Sequence, residues 1–306
     1  MLDKPIWERD GLDWPNRESS FFADVDGLRW HVQRMGAGPT LLLVHGTGAA
    51  THSWRDLAPI LAESFTVVAP DLPGHGFTAT PGVEQLSLPG MARALGRLLD
   101  AIDCKPELAV GHSAGAAVLA RMAMDGAISP QVLVSLNGAL VALRGFPGRI
   151  FLPVARMMAG SPFVAWLVAR RASDPRLLSR ALESTGSRLD AQGIALYGRL
   201  MSSPGHTGAV LSMMAHWDLV SFERQLPTLP VPMVLVAATA DGTVPPHFAR
   251  RAKSMLKRAS LVELPDLGHL AHEEDPQQVA DLLMDVARSH GVALVAEAGF
   301  TQALQR

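Results

Sequence analysis

Cysteine, lysine-rich segments and long apolar runs are all scarce in this 306-residue chain. Its single cysteine, Cys104, excludes a disulfide within the chain and is typical of a reducing compartment. We expect this thiol to be a partly buried packing residue. A formal net charge of −2 gives no electrostatic reason to expect nucleic acid as a partner.

We also expect neither a targeting segment nor a membrane-spanning segment. Charged residues interrupt the first ten positions, so we expect no signal peptide. The most apolar stretch, residues 150–169, contains Pro153, Arg156 and Pro162, whereas a spanning helix needs about 18 or more uninterrupted apolar residues. We therefore expect a cytoplasmic protein, with peripheral contact to a membrane as an open alternative.

The sequence lacks recognisable cofactor motifs. It contains no Walker-type phosphate loop, no Gly-x-Gly-x-x-Gly and no His/Cys group with zinc spacing. We expect the chemistry to require no cofactor and no metal.

Apolar runs of strand length alternate with helix-length segments over most of the chain. The runs cover residues 21–24, 28–33, 40–45, 66–70, 107–111, 131–136, 233–238 and 260–264. Asp26-Gly27 predicts a hairpin turn between the first two. The later runs are apolar throughout, as in strands covered on both faces, and residues 87–102 and 114–124 have helical patterns. This alternation predicts an α/β fold with a mostly parallel central sheet flanked by helices.

The alternation stops between residues 139 and 227, where the composition is helical and no convincing strand occurs. We predict a helical insertion there, forming a lid or cap over the carboxyl ends of the strands, where such sheets bind ligands. The predicted organisation is a core in two parts, residues 1–138 and 228–306, with the insertion at residues 139–227.

The segment Gly111-His112-Ser113-Ala114-Gly115 follows an apolar strand and opens a helix. A serine hydroxyl is a weak nucleophile unless it is held in the open beside a base, and a sharp strand-to-helix turn holds it so. Small residues two positions before and after relieve the crowding of that turn. We predict that Ser113 is the nucleophile.

A serine nucleophile needs a histidine base and a carboxylate that orients it, in the order Ser, acid, His for this kind of turn. Asp241 and His269 follow the last two predicted strands and fit that order. The competing residues have simpler explanations. Asp266 reads as a turn residue, Asn137 is an amide that cannot stabilise an imidazolium, and His247 and His272 read as surface or supporting residues.

The exit of the first parallel strand, His45-Gly46-Thr47-Gly48, is rich in glycine. We predict that the backbone N–H groups of Thr47 and Ala114 bind an oxyanion. His45 and His75 are expected to stabilise loops.

Together these motifs resemble the α/β-hydrolase superfamily from about residue 21 to residue 286. That resemblance implies an α/β-hydrolase fold and a serine hydrolase, because dehalogenases and epoxide hydrolases of the superfamily carry aspartate as the nucleophile. The segments 14–17, 45–55, 111–117 and 135–139 further resemble the group of α/β-hydrolases called magnesium-chelatase accessory proteins, which are encoded with bacteriochlorophyll biosynthesis genes. This second resemblance implies photosynthetic pigment synthesis, at the step where Mg²⁺ enters protoporphyrin, and magnesium-chelatase subunits as partners. It does not imply a particular reaction.

The predicted insertion is rich in arginine. Residues 140–224 contain ten arginines, five acidic residues and no lysine. Three interpretations stay open: an amphipathic lid with arginines in water, a pocket for a flat apolar ligand with carboxylates such as a porphyrin, and contact with an anionic membrane. The candidates for a substrate pocket are Asn137, Met157, Met213, Met214 and Trp217.

Two functions from different classes follow. The first is a serine hydrolase, an esterase-like enzyme acting on an apolar ester or other acyl substrate. The second is a non-catalytic porphyrin-binding or magnesium-chelatase accessory protein on a hydrolase fold. The sequence leaves open whether the N-terminal arm, residues 1 to about 20 with Trp7 and Trp14, packs on the body or on a partner.

Overall fold

The computed structural model of the protein describes residues 2–142 and 161–294. The strands are β1 (Ser20–Val25), β2 (Leu28–Met35), β3 (Thr40–Val44), β4 (Thr66–Pro70), β5 (Leu108–His112), β6 (Val132–Leu136), β7 (Met233–Ala238) and β8 (Ala259–Leu264). Within the described ranges they form one eight-stranded sheet with the order β1-β2-β4-β3-β5-β6-β7-β8. Pairs β1–β2 and β2–β4 are antiparallel and the others are parallel, which confirms the predicted sheet.

Helices cover both faces of this sheet. They are α1 (Trp7–Asp10), α2 (Leu57–Ala62), α3 (Leu88–Ala101), α4 (Ala114–Met124), α5 (Pro162–Ala172), α6 (Pro175–Glu183), α7 (Ala191–Met201), α8 (Pro204–Ala215), α9 (Leu219–Gln225), α10 (Pro246–Met255), α11 (Ala271–Glu274) and α12 (Pro276–Ser289). The predicted helices at 87–102 and 114–124 are α3 and α4.

Alternate residues of each central strand enter two separate cores. Leu42 and Val44 of β3 pack in a cluster with α3 and α4, whereas Leu41 and Leu43 pack in a second cluster with α2 and α12. Successive side chains of a strand point to opposite faces, so a strand that is apolar at every position is buried on both. Cys104 lies in the first cluster and is 5% exposed, and burial raises the pKa of its thiol to about 11.

The interval between β6 and β7 contains helices α5 to α9 and, in its described part, no strand. Met213 of α8 and Phe222 of α9 join the core under α3 and α4. Six of the seven arginines described in this interval are exposed, namely Arg170, Arg171, Arg176, Arg180, Arg188 and Arg224. The described part of the insertion therefore has an apolar inner side and a charged outer side, which also carries four exposed acidic residues, Asp174, Glu183, Asp190 and Asp218.

The N-terminal arm packs on the body of the protein, which answers the question that the sequence left open. Trp14 is 2% exposed, and its indole N–H donates to Thr51 Oγ1 at 3.0 Å. The Asp3 carbonyl accepts the backbone N–H of Gly205 at 2.8 Å, at the start of α8. The arm thus contacts the core and the insertion together.

No helix in the described ranges is long and apolar enough to cross a membrane.

Candidate active site

Ser113 lies between the end of β5 at His112 and the start of α4 at Ala114. Its backbone has φ 50° and ψ −116°, a conformation that is costly for a residue with a side chain. Three backbone hydrogen bonds hold it: Ser113 N donates to the Leu136 carbonyl at 3.0 Å, and the Ser113 carbonyl accepts from Ala139 N at 3.0 Å and from Ala116 N at 3.2 Å. The predicted nucleophile is thus fixed at a strained turn with 9% of its surface exposed.

The two glycines of this turn have no room for a side chain. A Cβ on Gly111 would lie 2.4 Å from the Ala116 nitrogen, and one on Gly115 would lie 2.2 Å from the Val44 carbonyl oxygen. Both neighbours are backbone atoms, which cannot move aside as a side chain can. The close approach of α4 to β3 and β5 therefore requires glycine at both positions.

Asp241 and His269 lie on the loops after β7 and β8, and the structure brings them together. His269 Nδ1 is 2.7 Å from Asp241 Oδ2, and both residues are buried. The other oxygen, Asp241 Oδ1, accepts the backbone N–H groups of Thr243 and Val244, each at 2.7 Å. Because a carboxylate only accepts, Nδ1 donates in this contact, and in a neutral imidazole the lone pair is then on Nε2, where a general base requires it.

Two further residues hold the backbone of the His269 loop. The His269 carbonyl accepts from His112 Nε2 at 2.9 Å and from Asn137 Nδ2 at 2.9 Å. Asn137 also donates to the Gly268 carbonyl at 3.0 Å and accepts from Ala238 N at 2.8 Å. Asn137, a pocket candidate in the sequence, is 2% exposed, and its amide is occupied by these bonds. Apart from the position of Asn137 after β6, no sequence pattern indicates this supporting role.

The predicted oxyanion donors belong to Ala114, the residue after Ser113, and to Thr47 in the loop after β3. Within the described part of the chain, the amide nitrogens of Thr47 and Ala114 donate to no acceptor. A Cβ on Gly46 would lie 3.0 Å from Ser113 Cβ, so the loop after β3 approaches the serine closely. Two such N–H groups are the donors that a tetrahedral intermediate needs.

His45 and His75 stabilise loops, as their positions in the sequence indicate. His45 Nδ1 is 2.8 Å from the Gly46 carbonyl, and Nε2 accepts the Leu72 backbone N–H at 2.9 Å. His75 Nδ1 contacts the Pro73 carbonyl at 3.1 Å. Burial lowers the pKa of both imidazoles, so both are neutral.

The residues that compete with the predicted acid and base have other surroundings. Asp266 is exposed, has φ 60°, and its backbone N–H donates to Thr239 Oγ1 at 2.9 Å, as expected of a turn. His247 is exposed. His272 is buried beside Ser53 Oγ at 2.7 Å, and burial lowers its pKa to about 3.

The remaining pocket candidates are spread apart. Met213 is 1% exposed, and its sulfur lies 4.0 Å from Thr47 Oγ1, close to the predicted oxyanion donors. Met214 is 59% exposed, and Trp217 packs against the core under α3 and α4. Met157 lies outside the described residues. The described residues contain no group of three or more His, Cys, Asp or Glu placed to hold a metal ion.

The sheet order and the loops that carry these residues define a class of protein. The model of the alpha/beta hydrolase family matches residues 41–282, and the chain belongs to this family. A magnesium-chelatase 30 kDa subunit of Rhodobacter capsulatus is 36% identical over 275 residues, which cover 89% of this chain and 96% of that protein. The pyrrolizixenacetamide deacetylase of Xenorhabdus hominickii is 28% identical, over 84% of this chain and 94% of that enzyme.

Solved structures share the fold. An alpha/beta hydrolase fold protein from Burkholderia ambifaria superposes with a TM-score of 0.73 at 23% identity, covering 87% of this chain and 97% of that one. A meta-cleavage product hydrolase from Pseudomonas fluorescens has a TM-score of 0.73 at 20% identity, covering 90% and 99%. At these identities the likeness shows the fold alone.

Proposed function

We propose that the protein is a serine hydrolase that cleaves an ester or similar acyl bond of an apolar substrate. The observation that supports this most directly is the 2.7 Å pair of His269 Nδ1 and Asp241 Oδ2, on loops at the same sheet edge as the strained Ser113 turn. A buried carboxylate that orients an imidazole is the arrangement a serine nucleophile requires.

In this mechanism Ser113 Oγ attacks the acyl carbon while His269 Nε2 takes its proton. The amides of Thr47 and Ala114 stabilise the negative charge that forms on the carbonyl oxygen. The protonated imidazole, held by Asp241, then gives its proton to the leaving oxygen as the acyl bond breaks. A water molecule, deprotonated by His269, hydrolyses the acyl-serine and restores the free enzyme.

The helical insertion, residues 139–227, would act as the lid and contribute the apolar wall of the substrate pocket. Met213 beside Thr47 supports this, since a flexible thioether fits a broad apolar ligand. The name of the Rhodobacter capsulatus relative favours bacteriochlorophyll synthesis, at magnesium insertion into protoporphyrin, as the context.

Labelling with a fluorescent fluorophosphonate tests the proposed activity. We expect wild-type protein to be labelled and both Ser113→Ala and His269→Ala to be unlabelled, because the reagent reacts with an activated serine. The matched controls are Ser212→Ala, a buried serine of α8, and His247→Ala, an exposed histidine; both should label as the wild type does. Folded wild-type protein that takes no label would contradict the catalytic proposal.

A second function is a non-catalytic porphyrin-binding protein or magnesium-chelatase accessory protein. The name of the Rhodobacter capsulatus relative and the exposed arginines of the insertion favour it, because arginine pairs well with the carboxylates of a porphyrin or of a partner subunit. The labelling result separates the two functions, since an accessory protein needs no activated serine.

We also propose a peripheral membrane contact through the outer face of α5. Phe163, Trp166 and Leu167 are 67%, 45% and 42% exposed, and Arg170 lies 5.7 Å from the Trp166 ring. Exposed aromatic and aliphatic side chains beside arginines are typical of helices that lie on anionic bilayers.

We expect the wild-type protein to co-sediment with phosphatidylglycerol vesicles but not with phosphatidylcholine vesicles. The Phe163→Ser, Trp166→Ser double variant should no longer co-sediment. Val220→Ser, at a position 55% exposed on α9, should bind like wild type, and equal binding by the double variant would reject the contact.

A further inference from the structure

A groove with a volume of about 970 Å³ lies where the N-terminal arm meets the helical insertion. Its walls are residues 2–6 and Arg9 of the arm, residues from the 79–86 loop, the start of α5 and one face of α8. This volume is at the upper end of the range of small-molecule sites. The groove is therefore large enough for a ligand of its own.

Helix α8 turns two glycines toward the arm, which lets the arm pack closely against it at one end of the groove. A Cβ on Gly205 would lie 2.6 Å from Lys4 Cγ, and one on Gly208 would lie 3.3 Å from both Leu2 Cδ1 and Ala165 Cβ. The arm rests on α8 at Gly205, and the wall at Gly208 carries no side chain. Most of the remaining lining side chains are aliphatic or proline, which favours an apolar occupant.

Lys4 is the lining residue that decides which charge a ligand of the groove should carry. Its ammonium has three donors, of which one reaches the Thr78 carbonyl; the described residues supply no acceptor for the other two. The other charged lining residues are Asp3 and Arg9, and Arg9 is already paired with Asp10 at 2.8 Å. Lys4 lines the groove, and its unused donors favour a ligand that carries one anionic group.

We propose that this groove binds an apolar ligand that carries a carboxylate, with the carboxylate at Lys4 and the apolar body between the 79–86 loop and helices α5 and α8. The ester of the same ligand can accept a hydrogen bond from the ammonium but carries no negative charge, so the acid is preferred over its ester.

The groove is separate from the Ser113 site. Helix α8 stands between them: Ser212 lines the groove, whereas the next residue, Met213, contacts Thr47 at the predicted oxyanion donors. His206 of α8 accepts the backbone N–H of Gly76 at 3.1 Å and contacts the Gly48 carbonyl at 3.2 Å, which fixes the helix to the core. Binding of a ligand in the groove does not require an active Ser113, so this proposal is independent of the proposed hydrolase activity.

The affinity should depend on pH through Lys4. Burial lowers the pKa of Lys4 to about 7, against the opposing effect of Asp71. Of the other groups that face Lys4, His75 and His206 are held neutral by burial, Asp71 stays ionised, and Asp3 and Arg9 on the arm add one charge of each sign. A carboxylate binds the protonated amine better, so affinity should fall as pH rises above about 7, by up to about tenfold per pH unit.

The test is a fluorescence titration with dansyl-aminoundecanoic acid and with its methyl ester. We expect the wild-type protein to bind the acid saturably and to bind the ester about tenfold more weakly. The Lys4→Met and Val83→Glu variants should each bind the acid about tenfold more weakly than wild type, because Val83→Glu places a second negative charge at the rim of the groove. The matched controls are Lys105→Met, whose side chain is 91% exposed, and Val220→Glu, which is 55% exposed against 52% for Val83; both should bind like wild type. The dependence on pH should disappear in Lys4→Met.

Equal affinity for acid and ester would overturn the proposal, and so would unchanged binding by Val83→Glu or the absence of saturable binding. If Lys4→Met does not fold, Val83→Glu and the pH dependence of wild-type binding decide the question.

Discussion

Replacing Asp241 by asparagine should reduce hydrolysis of p-nitrophenyl butyrate by about 10⁴-fold while leaving the protein folded. The reason is in the hydrogen bonds of the carboxylate. The amides of Thr243 and Val244 both donate to Oδ1, so the asparagine must place its carbonyl oxygen there and turn its NH₂ toward His269. His269 Nδ1 would then accept a hydrogen bond, Nε2 would carry the proton, and the base could not take a proton from Ser113.

The matched control is Asp266→Asn, an exposed aspartate on the same loop as His269, which should keep full activity within about twofold. A loss smaller than about tenfold in Asp241→Asn would show that this carboxylate does not orient the base. The same variant separates catalysis from an accessory role in cells. Under the proposed context of bacteriochlorophyll synthesis, full restoration of pigment by this variant in a strain deleted for the gene would show that the essential role is not hydrolysis.

Replacing Arg55 by methionine should lower the free energy of unfolding by about 3–5 kcal/mol. Arg55 Nη1 lies 2.5 Å from Glu273 Oε2, and the two side chains are 5% and 0% exposed. Glu273 also accepts hydrogen bonds from Ser53 Oγ and Tyr197 OH, each at 2.8 Å. Without Arg55 these neutral donors would face a buried negative charge with no cation beside it. Urea unfolding followed by circular dichroism measures the loss.

The pH dependence of the free energy of unfolding tests whether the unpaired Glu273 carboxylate causes this loss of stability. Burial raises the pKa of Glu273, and removal of Arg55 raises it further, because the arginine is the largest influence in the opposite direction. A carboxyl with a raised folded-state pKa gives stability at low pH that is lost as pH rises through that pKa. The deficit of Arg55→Met should therefore be smaller at about pH 5 than at about pH 8. Arg250→Met breaks the exposed pair with Glu263 and should cost less than about 1 kcal/mol at either pH; equal losses in the two variants would contradict this account.

The sheet could be predicted because its signal is local. Each central strand is apolar at consecutive positions, and all eight predicted runs correspond to observed strands with ends that differ by at most two residues. The proximity of Asp241 and His269 could also be predicted, since loops after neighbouring parallel strands meet at one edge of the sheet. Their pairing at 2.7 Å agrees with the predicted order of acid and base, while the catalytic roles themselves stay predictions.

The rest depends on contacts between distant parts of the chain. Asn137 reaches the His269 loop, Arg55 reaches Glu273, and Lys4 reaches the Thr78 carbonyl, across 132, 218 and 74 positions. A local pattern carries no information about such partners, because an isolated polar residue has the same appearance whether it is buried or exposed. The sequence could therefore propose the chemistry of Ser113, but not what holds His269 in place or where the arm packs.

The packing of the arm also constrains how the protein is made. Arg199 pairs with Asp13 at 2.6 Å across 186 positions, and Ser203 Oγ donates to the Asp3 carbonyl at 2.6 Å across 200 positions. During synthesis the residues of the arm leave the ribosome long before Arg199 and Ser203 have been made, so the arm stays without these partners until then. Its docking is thus a late step of folding. An affinity tag fused directly before Leu2 would compete with that step.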